Sequence, residues 1–192
     1  MRNISKIMIF RFLFVILIFV YSLKPVFSEL DFKSEINEIN ANVVFLRHSI
    51  APGFGDPKNF KIDDCSTQRN LSKTGILQAR SIGKFFIENN IEFSEILSSQ
   101  WCRCKDTIIE MNIGNWKTFP GLNSFFQNFS KKNIVLPLLY DKLNNVKNDD
   151  FILLVTHQVV ISEITKISPP SGGIVIYNSI NKKAKLIRNI TN

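Results

Sequence analysis

Apolar residues fall along this chain in two kinds of pattern. Short unbroken runs, "VVFL" at 43–46 and "FILLV" at 151–155, have strand length and are rich in branched and aromatic residues. Such runs suit strands buried on both faces of a parallel sheet. Between them, spacings of three and four predict helices. The stretch "LSKTGILQARSIGKFFIENN" (71–90) starts with Ser72 as an N-cap and sets Ile76, Ala79, Ile82 or Gly83, Phe86 and Ile87 on one face. "FSEILSS" (93–99) predicts a strand ending near Ser98, and "WCRCKDTIIEMN" (101–112) a helix with Arg103 in its first turn. A helix over 131–147, a strand over 151–156 and a helix in "QVVISEIT" (158–165) follow. After the turn "PPSGG" (169–173), two closing strands are expected over 174–177 and 184–188. Residues 29–41 read as a polar lead-in without an element, 49–70 as a long loop, and 114–130 as a short strand followed by a helix. Alternating strands and helices imply one three-layer α/β/α domain, a mainly parallel central sheet flanked by helices.

The first 28 residues change the picture of the chain's size and charge. Arg2 and Lys6 make a basic start, an uncharged and mostly apolar run extends from Phe12 to Leu23, and "PVFS" (25–28) supplies tolerated residues at a cleavage site. That is the layout of a secretory signal peptide. The run is too short for the roughly 18 apolar residues that span a bilayer, although an uncleaved membrane anchor is the rival reading. Cleavage after Ser28 leaves residues 29–192, a length suited to one domain with its own core, in the periplasm or outside the cell. The signal carries Arg2, Lys6, Arg11 and Lys24 and no acid, so the net charge falls from +8 to +4. Basic residues are scattered rather than gathered into an aromatic-interleaved stripe, which argues against a nucleic-acid partner. Cys65, Cys102 and Cys104 would meet oxidising conditions, so a disulfide from Cys65 to Cys102 or Cys104 is expected. A zinc site using the C-x-C pair and the histidines is the sharper alternative, but it lacks the paired C-x-x-C spacing.

The candidate chemistry lies where the apolar runs stop. The chain has only two histidines, and each ends such a run: "FLRH" at 45–48 and "LVTH" at 154–157. Ligands of open α/β sheets bind beyond the carboxyl ends of the strands, which would place Arg47, His48 and His157 at that edge, with Arg103 at the start of the next helix. Guanidinium forks match a phosphoryl dianion in a way a lysine point charge does not. Nearby arginines also disfavour an imidazolium, keeping a ring nitrogen free to attack. Attack by His48 would give a phosphohistidine that water then hydrolyses, with His157 donating to the phosphoryl oxygens; this chemistry needs no metal or cofactor.

The order of these pieces resembles the histidine phosphatase superfamily, which includes the phosphoglycerate mutases and the histidine acid phosphatases. The family's strand-end R-H is matched by Arg47 and His48, its helix-start motif by Leu71, Ser72, Gly75, Gln78 and Ala79, its S-S-x-x-x-R-x-x-x-T segment by Ser98, Ser99, Arg103 and Thr107, and its second histidine by His157. The resemblance runs from about residue 42 to 165 and looks closer to the mutase-type branch. It implies that His48 is the phosphorylated nucleophile and that Arg47, Arg103 and His157 complete the phosphate pocket, acting on a small-molecule phosphate ester. Three positions depart from the family pattern. Ser49 stands where many members have Gly, Gln158 where the acid-phosphatase branch has its proton-donating Asp, and 111–140 contains no acid. Asp56, Asp63 and Asp64 in the 49–70 loop are the remaining donor candidates, and Gln68 and Arg69 are further candidates to reach the phosphate. The resemblance therefore implies a phosphomonoesterase, and the missing acid leaves a weakly active or non-catalytic phosphate-binding protein as the alternative.

Overall fold

A computed structural model describes residues 29–147 and 149–187. The expected signal peptide, residues 1–28, lies outside the described residues. Six strands form one sheet: β1 (Val43–Arg47), β2 (Glu95–Ser98), β3 (Lys117–Thr118), β4 (Ile152–Thr156), β5 (Ile174–Tyr177) and β6 (Ala184–Ile187). Their order is β3-β2-β4-β1-β5-β6. The first four are mutually parallel, whereas β5 runs antiparallel to β1 and β6 antiparallel to β5. The helices are α1 (Glu29–Ile39), α2 (Lys73–Glu88), α3 (Cys102–Met111), α4 (Lys132–Asn144) and α5 (Gln158–Thr165).

Strand alternation divides the core in two. Val44, Leu46, Leu153, Val155, Ile174 and Ile176 face one way and pack with Phe32 of α1, Ile82 and Phe86 of α2, Ile108 of α3 and Trp101, the residue before α3. Val43, Phe45, Ile152, Leu154, Val175 and Tyr177 face the other way and pack with Leu139 and Leu143 of α4 and Val160 and Ile161 of α5. Both faces of β1 and β4 are thus dry, as their unbroken apolar runs imply.

Three sequence expectations need correction. Residues 29–39 form α1 instead of an unstructured lead-in, because Phe32, Ile36 and Ile39 recur at helical spacing and pack against the core. Residues 120–130 form two short 3-10 turns, Pro120–Leu122 and Phe126–Asn128, instead of a helix. Gln127 (φ 65°) and Asn128 (φ 61°) adopt left-handed backbone there, which no α-helix continues. In α2 the buried face takes in Phe85, which meets Phe32 edge-to-face, and leaves Ile87 exposed.

The α2 motif is explained by packing. Ser72 Oγ accepts from Gly75 N, the expected N-cap. A Cβ at Gly75 would lie 2.1 Å from the Ile50 carbonyl oxygen, so only glycine lets α2 approach the chain leaving β1. Gln78 then ties that chain down: its Oε1 accepts from Ile50 N at 3.1 Å and its Nε2 donates to Ser171 O at 2.9 Å. These residues fix the segment that follows His48.

Candidate active site

Register brings the two histidines together. In the parallel pair β1 and β4, Arg47 lies opposite Thr156, and His48 N donates to Thr156 O at 3.0 Å. His48 and His157 therefore leave the sheet side by side, with ring centroids 5.4 Å apart. On the other side of β4, Ser98 lies opposite Val155, which carries Ser99 to the same edge.

The hydrogen-bond network assigns each ring a tautomer. His48 Nδ1 lies 2.8 Å from the Ser49 carbonyl oxygen and must donate to it. Its Nε2 accepts from Arg103 Nε at 3.1 Å, so that nitrogen keeps its lone pair. His157 is arranged the other way round. Arg103 Nη2 approaches its Nδ1 at 3.4 Å, and its Nε2 meets Ser99 Oγ at 2.9 Å. Ser99 in turn donates to Asn123 Oδ1 at 3.2 Å, so the ring proton sits on Nε2. Burial, then the Arg103 charge, holds both imidazoles well below the usual histidine range, and Arg47 and Arg69 add to the effect. Both rings are neutral at pH 7. The nearby Cys104 thiol is no rival nucleophile, since burial pushes it up to about 12.

Arg103 is the centre of the arrangement and is only 3% exposed. The first turn of α3 aims it inward, and the expected disulfide holds the residue just before it. Cys65 and Cys102 are bonded, with Cα atoms 5.7 Å apart, which ties the 49–70 loop to α3. That loop supplies Asp56, whose Oδ1 and Oδ2 accept from Arg103 Nη1 at 2.8 and 3.1 Å. Asp56 also accepts from Trp101 Nε1 at 3.1 Å and from Arg69 N at 3.0 Å. Burial works to raise the Asp56 carboxyl, but the Arg69 amide, Arg103 and Trp101 outweigh it and hold the group below the ordinary carboxylate range. Asp56 is thus a buried anion paired with Arg103. It is not a solvated loop carboxylate, and as an anion paired with Arg103 it holds no proton to donate in this arrangement.

Arg47 and Arg69 face the same cleft. Arg47 Nη1 donates to Pro169 O at 2.9 Å, and Arg69 Nη1 donates to the carbonyls of Ala51 and Gly53. Among the described residues, neither buried Nε has a hydrogen-bond partner. Burial, then repulsion from Arg103, lowers the pKa of each, as expected where cations are crowded together. Three guanidiniums and one carboxylate, with neutral imidazoles, leave the cleft at about +2, the complement of a phosphoryl dianion.

The other candidates fall outside the cleft. Gln68 accepts from Cys102 N at 2.9 Å and donates to the carbonyls of Lys61 and Ile62, so it caps α3 and braces the loop. Asp64 caps the 3-10 turn at Cys65–Thr67 through Ser66, and Asp63 is exposed. Thr107 Oγ1 accepts from Ser49 N at 3.0 Å, which docks α3 onto the residue after the nucleophile candidate. Gln158 lines the cleft without offering an acid. Sequence reasoning missed Asn123, which holds Ser99, and the lining residues Phe54, Ser124, Phe126 and Val159. Only Phe54, an aromatic between two glycines in a polar loop, left a readable signal. No group of three or more His, Cys, Asp or Glu side chains among the described residues converges as a metal site.

The disulfide carries a stability prediction. Its partners are 37 residues apart, and closing a loop of that length stabilises by about 3–4 kcal/mol in chain-entropy terms. Urea unfolding of oxidised Cys65→Ser is expected to show a loss of that order, together with weaker phosphate binding as Asp56 and Arg69 loosen. An unchanged midpoint, with three alkylatable thiols in the parent chain, is the contrary result.

No protein-family model matches the sequence, and no curated protein matches it. Solved structures do. The protein histidine phosphatase SixA, solved with tungstate, superposes over 76% of this chain and 93% of its own, at 17% identity and a TM-score of 0.50. The phosphoserine phosphatase of Entamoeba histolytica, solved with 3-phosphoglyceric acid, covers 78% of this chain and 98% of its own, at 13% identity and a TM-score of 0.52. A mycobacterial glucosyl-3-phosphoglycerate phosphatase covers 76% and 96%, at 14% identity and a TM-score of 0.50. At such low identity the likeness is one of architecture, and it agrees with the ordered motifs around His48, Arg103 and His157: the chain has the fold of the histidine phosphatase superfamily.

Proposed function

We propose that the protein is a metal-independent phosphatase that hydrolyses a small phosphate ester through a phosphohistidine on His48. One observation carries the reading. His48 presents an unprotonated Nε2 inside a buried cleft of three arginines, with its other nitrogen committed to the Ser49 carbonyl. In the first step Nε2 attacks phosphorus, and the bond to the leaving oxygen breaks. In the second, water attacks the phosphohistidine, the P–N bond breaks, and phosphate leaves with the water-derived oxygen. Arg47, Arg69 and Arg103 neutralise the phosphoryl oxygens as charge moves. His157 can donate to them from Nδ1 in its other tautomer, in which the ring proton sits on Nδ1 and Nε2 accepts from the Ser99 hydroxyl. Export to the periplasm or beyond is part of the proposal, supported by the signal-like N-terminus and by the disulfide.

The second reading, a phosphate-binding protein with little turnover, is favoured by the commitment of Asp56 to Arg103. An activated aryl phosphate separates the two, because a good leaving group needs little acid assistance. Steady release of p-nitrophenolate by purified protein supports the phosphatase. Binding of phosphate without release supports the alternative. N-terminal sequencing of natively expressed protein should begin at Glu29, and a retained Met1 contradicts cleavage.

The neutral histidines also set a pH dependence. Their folded pKa values lie below the unfolded value near 6.5, so the unfolded chain binds more protons in the window between the two. Stability is then full above about pH 6.5 and falls as pH drops below it, by up to about 1.4 kcal/mol per histidine per unit. Urea unfolding at pH 7.5 and pH 5.5 checks this, and equal stability at the two contradicts the assignment.

A further inference from the structure

The mouth of the cleft differs from its floor. Beyond the arginines and histidines, the lining consists of Gly53, Phe54, Gly55, Ser124, Phe126, Gln158 and Val159, with no charged side chain. Phe54 is 90% exposed and Phe126 39%, and their rings meet edge-to-face with centroids 5.1 Å apart. An exposed aromatic pair at a cleft entrance is poorly accounted for by the core, since neither ring is needed to fill it. It is nevertheless held in place from behind. Gln127 bridges the two loops that bear the rings: its Oε1 accepts from Asp56 N at 2.6 Å and its Nε2 donates to Asp56 O at 3.2 Å. A Cβ on Gly55 would strike that amide at 2.6 Å, and both Gly55 (φ 70°) and Gly53 (φ 95°) use backbone that favours glycine. Asp56 is also the carboxylate clamped to Arg103. The aromatic pair is therefore coupled through one residue to the phosphate-binding floor.

An independent observation limits what can depart from this site. Asp56, the carboxylate that meets Arg103 behind the cleft, is ion-paired and bonded by Trp101 and the Arg69 amide, and Gln158 follows the second histidine. Without a positioned acid, an alkoxide leaves with difficulty, whereas an aryl oxide leaves readily because its negative charge is delocalised over the ring. A flat ring is also what Phe54 and Phe126 accommodate best, edge-on or offset.

We propose that Phe54 and Phe126 form a leaving-group subsite for a phenol-type ring, so that the substrate is an aryl phosphate, either free or as a phosphorylated tyrosine side chain. This rests on the phosphatase reading above, and the test separates the two. Calorimetry on the full oxidised chain, with phenylphosphonate and methylphosphonate as non-hydrolysable probes, reads the subsite without turnover. Phenylphosphonate is expected to bind at least about tenfold tighter, with most of that advantage lost in Phe54→Ala and in Phe126→Ala. Equal binding of the two probes, or an advantage that survives both substitutions, overturns the subsite. In parallel, kcat/KM is measured for phenyl phosphate and for acetyl phosphate, an activated but non-aromatic substrate. The aryl-to-acetyl ratio is expected to fall about tenfold in each variant, and an unchanged ratio overturns the assignment. If acetyl phosphate is hydrolysed while the phosphonates bind alike, the subsite fails and the phosphatase stands. If the phenyl advantage holds but neither compound is hydrolysed, the subsite stands and the phosphatase reading fails. A phosphotyrosine peptide turned over about tenfold faster than phenyl phosphate assigns a protein-borne source, and comparable or slower turnover assigns a free aryl phosphate.

Discussion

His48→Ala is expected to reduce phosphate release from an activated aryl phosphate to background, a loss of about 10⁴-fold or more. The size follows from the absence of a substitute nucleophile. The Cys104 thiol is buried and stays protonated, and His157 is expected to serve the phosphoryl oxygens as a donor rather than the phosphorus as a nucleophile. Ser49 Oγ is buried and has no base bonded to it among the described residues. The substitution removes a ring, so a folded control is required. Retained phosphate binding by calorimetry identifies a variant that has lost chemistry and kept the pocket. Near-normal turnover by His48→Ala contradicts the mechanism outright.

Arg103→Ala has the second-largest expected effect, and it acts on two observables. The guanidinium touches Asp56, His48 and His157 at once. Its loss removes a clamp on the phosphoryl oxygens, lowering kcat/KM by about 10²–10³-fold. It also leaves the Asp56 carboxylate buried without its cation, a situation that costs about 3–5 kcal/mol of stability. Adding Asp56→Asn to Arg103→Ala separates these effects, because it removes the stranded charge without restoring the clamp. Stability should recover in the double variant while activity stays low. Arg103→Lys should fall between, since lysine keeps the charge but not the fork that reaches three partners. If Arg103→Ala is as stable and as active as the parent, the pairing described here has no energetic weight.

Much of this site was legible in the sequence because it is attached to regular elements. The runs before His48 and His157 mark buried strands, and parallel strands deliver their carboxyl ends to one edge, so the histidines could be placed near each other without knowing the pairing. Arg103 was legible as a first-turn residue of α3, but its direction was not. A first-turn arginine ordinarily faces solvent, and only the carboxylate of Asp56 and the two imidazoles explain why this one turns inward. Asp56 itself was unreadable as a partner because it sits in a loop whose path depends on the Cys65–Cys102 bond, on two glycines and on Gln127 from a separate loop. Ser99 and Asn123 depend similarly on contacts distant in sequence. The helix α1 was missed for a different reason. Its apolar positions are sparse, and the spacing of Phe32, Ile36 and Ile39 gains meaning only once β6 and α2 provide something to pack against.

The phosphoryl group is expected to pass through His48 Nε2. Rapid acid-free quenching with labelled substrate, followed by peptide mapping, tests it most directly. Histidine phosphate is labile in acid and stable in base, opposite to the ester that Ser49 would form. An acid-labile, base-stable label is expected on the peptide containing His48 and is expected to be absent from His48→Ala. A label on His157 or Ser49, or turnover during which His48 never becomes labelled, would contradict it.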